Sequence, residues 1–197
     1  MESRRREACV ATFDGLLAIA PLPNDVVNLL ESVIAPPLLC AHLRIVHDVA
    51  IQITRWMRAT WPEVQFDADL VAFGAATHDI GKTLHPRELS AAGSAHELSG
   101  QALLIHLGVS ADRARFAVTH NEWTSAAVTT EDLLVAVADK IWKGKRDDGL
   151  EALLIELVCT KTGLLAWEVF ALLDEELDCI AASANDRLAF QAQWAKV

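Results

Sequence analysis

The sequence lacks the features that mark several broad classes of protein. It contains no stretch in which apolar and polar residues alternate for more than a few positions, so half-buried β-strands are not predicted. The uncharged run at residues 32–43 contains two prolines and is too short to span a bilayer, so no membrane segment is predicted. The four cysteines form no Cys-x-x-Cys pair and no zinc-ribbon spacing, which favours reduced, mostly buried thiols in a cytoplasmic protein.

Positive charge is also scarce. The chain has 17 Lys and Arg residues against 27 Asp and Glu residues, for a formal net charge of −10. Non-specific nucleic-acid binding needs clustered basic side chains that replace counterions, so the composition argues against that function. A small anionic substrate stays compatible with the charge, because bound divalent ions supply a positive field of their own.

Helical periodicity accounts for most of what the sequence does contain. The 197 residues are 52% hydrophobic, which is enough for a substantial core, and no repeat, low-complexity segment or long linker divides them. We therefore predict a single all-α domain over residues 1–197, folded as a compact bundle of about seven to nine helices. The predicted helices lie within residues 3–19, 24–33, 38–60, 67–78, 94–108, 110–120, 129–141, 150–158 and 164–180.

The region after Gly149 is rich in Leu and Ala and contains Trp167 and Trp194. Core packing is the plainer interpretation of these residues, and a lid or a homodimer face is the alternative.

The stretch Thr77–Lys82 carries the strongest chemical signal. His78 and Asp79 are adjacent at the end of an apolar run, where an unpaired charge is costly to bury. Gly81 is predicted to end the helix, so both side chains can lean toward one point beyond it, where the negative end of the helix dipole favours a cation. The pattern predicts that His78 and Asp79 are metal ligands.

Four further residues have side chains that can bind a metal, and each lies on a predicted helix of its own. They are His47, His96, His120 and Asp139. Ligands from several helices can converge at the centre of a helical bundle, as they do in other dinuclear sites.

In this order the six residues resemble the ligand pattern of the HD superfamily of metal-dependent phosphohydrolases. The dinuclear branch of that family has one His, then a His-Asp pair, two more His and a distal Asp. The resemblance implies an HD-domain-like bundle, with a ligand core over residues 38–145 and C-terminal helices over 149–197 packed on it. It also implies two divalent transition-metal ions, with Fe or Mn favoured over Co, Ni, Zn or Mg.

The resemblance assigns a role to each ligand. One ion would be held by His47, His78, Asp79 and Asp139, and the other by Asp79, His96 and His120. Asp79 would bridge the two ions, and a hydroxide between them would attack phosphorus.

Cationic side chains near the predicted ligands are the candidates for substrate binding. In the resembled family the lysine at the position of Lys82 binds a substrate phosphate, which makes Lys82 a catalytic and substrate-binding candidate beside Asp79. Arg44 and Lys143 are weaker substrate-binding candidates, and Lys140 is another. The remaining histidines, His42, His85 and His106, fall outside the pattern and are interpreted as structural or surface residues.

One difference from the resembled family narrows the range of possible substrates. The cyclic-dinucleotide phosphodiesterase branch has a Gly-Tyr-Pro segment after its histidines, whereas here Asn121-Glu122-Trp123-Thr124 follows His120 and tyrosine is absent. The leading hypothesis is therefore hydrolysis of a phosphate ester or anhydride of a nucleotide or another small phosphorylated metabolite. A mixed-valence diiron oxygenase on the same six ligands is the alternative, and a non-catalytic nucleotide-binding or signalling module is the second alternative.

Overall fold

A computed structural model describes residues 2–10, 18–124 and 128–195. Within these ranges the protein is all helical and contains no β-strand, which confirms the predicted fold class. Nine of the described α-helices have nine or more residues, and two are single turns. None of the described helices is both long enough and apolar enough to cross a membrane.

The helices are numbered in chain order. They are α1 (Glu2–Val10), α2 (Asn24–Ser32), α3 (Pro37–Thr60), α4 (Ala68–Thr77), α5 (Ala95–His106), α6 (Ala111–Ala114), α7 (Phe116–Thr119), α8 (Thr130–Ile141), α9 (Asp148–Thr162), α10 (Ala166–Ala181) and α11 (Ala184–Ala192). Two 3-10 helices, Ile80–Thr83 and Pro86–Leu89, lie between α4 and α5.

Helix α3 is the central element. Pro37 occupies its first turn, where the missing N–H leaves no helical hydrogen bond unmade. Every residue from Leu39 to Ala50 is buried, because α1, α4, α8 and α11 all pack against this helix. A helix that is covered on all sides presents side chains to several neighbours at once.

Helices α4 and α8 pack on α3 and on each other. The Asp67 carboxylate caps α4 by accepting hydrogen bonds from the N–H groups of Asp69 and Leu70. Thr129 and Asp132 form a capping box that starts α8. Small buried side chains allow close approach of these helices; they are Ala75, Ala76, Ala136 and Ala138.

Several local predictions differ from the structure. Helix α4 ends at Thr77, and Gly81 lies inside the following 3-10 helix rather than at a helix end. A Cβ atom at Gly81 would lie 2.0 Å from the backbone oxygen of His96 and 2.7 Å from the backbone nitrogen of Gly100. Gly81 is therefore required for close contact between this 3-10 helix and α5.

The predicted helix that carries His120 is two single turns, α6 and α7, and His120 lies at the end of the second. Helix α11 was not predicted. The first predicted helix is described only as α1, and residues 11–17 lie outside the described residues.

Two other predictions hold only in part. Cys9 and Cys40 are buried thiols, but Cys159 is half-buried and Cys179 is exposed. Trp194 packs on the core, whereas the Trp167 side chain is 67% exposed on α10. A homodimer through this face stays a prediction.

Candidate metal centre

Six ligand-type side chains meet where α3, α5 and α8 approach the ends of α4 and α7. All are at least nine-tenths buried; they are His42, His78, Asp79, His96, His120 and Asp139. Five of them were predicted from the sequence, and His42 takes the place predicted for His47.

Three side chains form the first set: His42, His78 and Asp139. The Asp139 Oδ1 atom lies 3.4 Å from His78 Nε2 and 3.6 Å from His42 Nε2. One ligand-type atom from each of the three lies within 4.8 Å of the others. The Oδ2 atom of Asp79 faces this set, 3.1 Å from His42 Nε2 and 3.6 Å from His78 Nε2.

The second set is formed by His96 and His120. The Oδ1 atom of Asp79 lies 3.0 Å from His96 Nε2 and 3.8 Å from His120 Nε2. The two oxygens of the Asp79 carboxylate thus face different sets. A carboxylate in this position has the geometry needed to bridge two ions.

In three of the imidazoles the Nδ1 atom lies within hydrogen-bond distance of an acceptor, while the Nε2 atom faces the cluster. The Nδ1–H group of His78 donates to the Ala75 carbonyl at 2.9 Å, and that of His120 donates to the Phe116 carbonyl at 3.0 Å. His96 Nδ1 lies 2.6 Å from the Glu88 carboxylate. These contacts direct the Nε2 lone pairs toward the centre, as in known metal-binding histidines.

The atoms at the centre are unsatisfied without a cation. His42 Nε2, His78 Nε2, His96 Nε2 and Asp79 Oδ1 are buried and have no hydrogen-bond partner among the described residues, although they lie close to one another. Buried polar atoms without partners are costly, and divalent ions at the centre would satisfy all four. The donor set therefore fits metal ions.

Electrostatics gives four of these six groups the protonation states that metal binding needs. Burial raises the pKa of Asp79, but the nearby His78 and His42 outweigh burial and hold that pKa well below its ordinary value. The pKa of Asp139 is also lowered, because the same two imidazoles again outweigh burial. Burial lowers the pKa of His42 and lowers that of His120 to about 4. Charged carboxylates and neutral imidazoles are the forms that bind metal.

The structure places His42, and not the predicted His47, in the cluster. The two residues are five positions apart on α3, a rotation of about 140° around the helix axis, so they cannot face the same point. His47 instead borders a separate cavity of about 500 Å³ on the α3 and α4 surfaces, together with Ile51 and Ala72. Because α3 is buried on all sides around both residues, hydrophobic periodicity could not distinguish them.

Glu88 was missed by sequence reasoning. Its carboxylate accepts hydrogen bonds from the backbone N–H groups of Ala95 and His96, and it contacts the His96 imidazole. Gly93 leaves space for this carboxylate, since a Cβ atom there would lie 2.4 Å from Glu88 Oε1. No sequence spacing signals this contact, because it depends on how the loop between Leu84 and Ser94 folds back.

A cavity of about 240 Å³ opens beside the cluster. It is lined by His42, Asp79, Lys82, Lys143, Trp142, Leu38, Leu39, Leu89 and Gln191. Lys82 Nζ donates to Asp79 Oδ2 at 2.5 Å, and Lys143 is an exposed residue of the cavity lining. The substrate-binding role predicted for these two lysines stays a prediction.

Arg44 does not face this cavity. It is 2% exposed, and its guanidinium donates to the backbone oxygens of Ala20 at 3.0 Å and Ile19 at 2.6 Å. The structure therefore removes Arg44 from the substrate side and gives it a structural role between α3 and the segment before α2.

Lys140, the other weak candidate, donates to Asn121 Oδ1 and lies 3.6 Å from Asp139 Oδ2.

Comparison with known proteins gives one family-level match. Residues 41–142, just over half of the chain, match the sequence model of the HD domain family. All six clustered side chains lie within the matched range. No match to the chain was found among curated proteins or among solved structures.

Proposed function

The chain belongs to the HD domain family of metal-dependent phosphohydrolases, and we propose that it hydrolyses a phosphate ester or anhydride of a nucleotide or another small phosphorylated metabolite. The observation that supports this most is the position of Asp79. Its two carboxylate oxygens face separate sets of buried histidines, beside a cavity that contains Lys82 and Lys143.

In this proposal two divalent ions occupy the cluster. The first set and Asp79 Oδ2 would hold one ion, and the second set and Asp79 Oδ1 would hold the other. Nitrogen and oxygen donors without thiolates suit Mn, Fe, Co, Ni or Zn. When bound, such ions activate water and neutralise charge on phosphoryl oxygens.

The chain's own side chains position the substrate. Lys82 is near enough to Asp79 to place its ammonium group beside a phosphoryl group at the cluster, where it stabilises the charge that develops on oxygen. Lys143 offers a second cation at the cavity wall. The apolar side chains of Leu38, Leu39 and Trp142 form the surface against which the organic part of the substrate would pack.

The test begins with protein purified without added metal. We expect it to contain divalent metal and to release phosphate from members of a panel of phosphorylated metabolites, and EDTA should abolish that release. Replacing Asp79 by Asn should lower turnover by at least about 100-fold, because it weakens both ion sites. Asp69→Asn is the matched control, since Asp69 lies in the first turn of α4 and away from the cluster, and it should leave turnover unchanged.

Two outcomes would contradict the proposal. Iron-loaded protein that consumes O₂ and releases no phosphate would indicate the oxygenase alternative. Protein that binds nucleotides but turns over none of the panel, with any metal, would indicate a non-catalytic module.

A further inference from the structure

The second set of histidines has a carboxylate beside it that the six-residue pattern does not include. One ligand-type atom each from His96, Glu97 and His120 lies within 4.8 Å of the others. Glu97 follows His96 in the first turn of α5 and is half-buried, whereas both imidazoles are at most 3% exposed. The carboxylate therefore lies at the outer side of the second set.

The Asn121 side chain shows that Glu97 and His120 present acceptors to the same space. Its Nδ2 atom lies 3.1 Å from Glu97 Oε1 and 3.2 Å from His120 Nε2. His120 donates its Nδ1–H to the Phe116 carbonyl, so its Nε2 atom is an acceptor. One amide NH₂ group thus donates to both a carboxylate and an imidazole.

The orientation of that amide is fixed from its other side. Lys140 Nζ donates to Asn121 Oδ1 at 2.9 Å, which leaves the NH₂ group to face Glu97 and His120. Two acceptors that converge on a neutral donor are also positioned to converge on a cation, which satisfies them with more charge.

The two ion sites are unequal without Glu97. The first ion would have four protein ligands, counting Asp79, whereas the second would have only Asp79, His96 and His120. We propose that Glu97 is a further ligand of the second ion and completes a set of two imidazoles and two carboxylates. This inference rests on the proposed metal centre and adds a residue to it.

The additional carboxylate has a chemical consequence. A set of two nitrogen and two oxygen donors with two negative charges binds a harder cation better than a set with one carboxylate does. The second site should therefore favour Mn²⁺ or Fe²⁺, and its affinity should depend on the charge of Glu97.

The assignment is tested by titrating metal-free protein with Mn²⁺ and recording the binding by calorimetry and by electron paramagnetic resonance. Glu97→Gln keeps the size of the side chain and removes its charge. We expect this variant to retain one site of wild-type affinity and to bind the second ion about 10–100-fold more weakly. Glu122→Gln is the matched control, because it removes the same charge from an exposed residue that adjoins Asn121. It should bind both ions as the wild type does.

The failures of the two proposals are distinguishable. Wild-type protein that binds no Mn²⁺ overturns the metal centre and Glu97 with it. If the wild type binds Mn²⁺ and Glu97→Gln has the same affinities, the role of Glu97 alone is overturned. Equal melting temperatures of the metal-free proteins, measured by circular dichroism, establish that any loss of affinity is not a loss of fold.

Discussion

The orientation of three imidazoles in the metal centre is set by the partners of their Nδ1 atoms. His78 and His120 donate to backbone carbonyls of the preceding helical turn, and His96 is held by Glu88. Turning any of these rings would break a buried or part-buried hydrogen bond, which costs about 1 kcal/mol. The Nε2 atoms are therefore oriented before an ion arrives.

His42 and His47 provide a direct comparison within one helix. His42→Ala removes a proposed ligand of the first ion, so metal content should fall and phosphate release should drop by about 100-fold or more. His47→Leu should keep both, because His47 lies about 140° away around α3. Metal analysis and phosphate release on the two variants make the comparison. Loss of metal from His47→Leu alone would show that the sequence pattern, not the structure, had identified the ligand.

His47 should also make folding stability depend on pH. Burial, with the nearby Arg44 charge, lowers the pKa of His47 to about 4, and its Nδ1 atom has no hydrogen-bond partner among the described residues. The unfolded chain binds this proton near pH 6.5 and the folded chain only near pH 4. Stability is therefore lost as pH falls through that window, by up to about 3 kcal/mol.

Urea unfolding of metal-free protein at pH 7 and pH 4.5 measures this loss. The His47→Leu variant has no such proton to bind, so it should lose less stability over the same interval. Equal losses in both proteins would show that His47 is protonated as readily in the folded state as in the unfolded chain.

At the scale of elements, the contact between the 3-10 helix Ile80–Thr83 and α5 joins the two halves of the centre. It brings Asp79, which precedes the 3-10 helix, within 3.0 Å of His96 at the start of α5. Gly81 and Gly100 form this contact through their backbones, and neither has a side chain to separate them. The spacing of the second set thus depends most on Gly81, whose Cβ would lie 2.0 Å from the His96 backbone oxygen.

Gly81→Ala should weaken both the fold and the second metal site. Its Cβ atom would meet backbone atoms of His96 and Gly100, so we expect destabilisation of about 1–3 kcal/mol and weaker Mn²⁺ binding. Gly100→Ala is the comparison, because its Cβ atom would approach Gly81 no closer than 3.0 Å. The Gly100→Ala variant gains up to about 1 kcal/mol in helix propensity, which offsets the crowding. If urea unfolding finds Gly81→Ala no less stable than Gly100→Ala, this contact is not close-packed.

At the scale of the whole molecule, the centre places two carboxylates and four imidazoles in the interior of a chain with a formal net charge of −10. Ions that bind the folded state and not the unfolded chain stabilise the fold by mass action. Metal binding and global stability are therefore linked.

Removal of metal should lower the melting temperature. At a free concentration of about 100 times Kd, each ion stabilises the folded state by about 2.7 kcal/mol. For a chain of this size that is a shift of about 5–10 °C per ion. Calorimetric scans in EDTA and in Mn²⁺ measure the shift, and Asp79→Asn should reduce it. Identical scans of the wild type under the two conditions would show that the cluster does not bind Mn²⁺.

The sequence by itself determined the helical class, most of the helices and five of the six clustered side chains. Helices follow from local signals, such as Asp67 before α4 and Thr129 before α8, which act through the nearest backbone groups. The His78-Asp79 pair could be identified because a polar pair at the end of an apolar run is costly without a cation.

Only the tertiary structure decided which face of α3 meets the other clustered side chains, and so put His42 rather than His47 among them. It also brought Glu88 and Glu97 to the second set and moved Arg44 away from the substrate side. These outcomes depend on the rotation of a helix buried on all sides and on the path of the loop between α4 and α5. Both are set by packing between residues far apart in the chain, which local propensity and spacing do not encode.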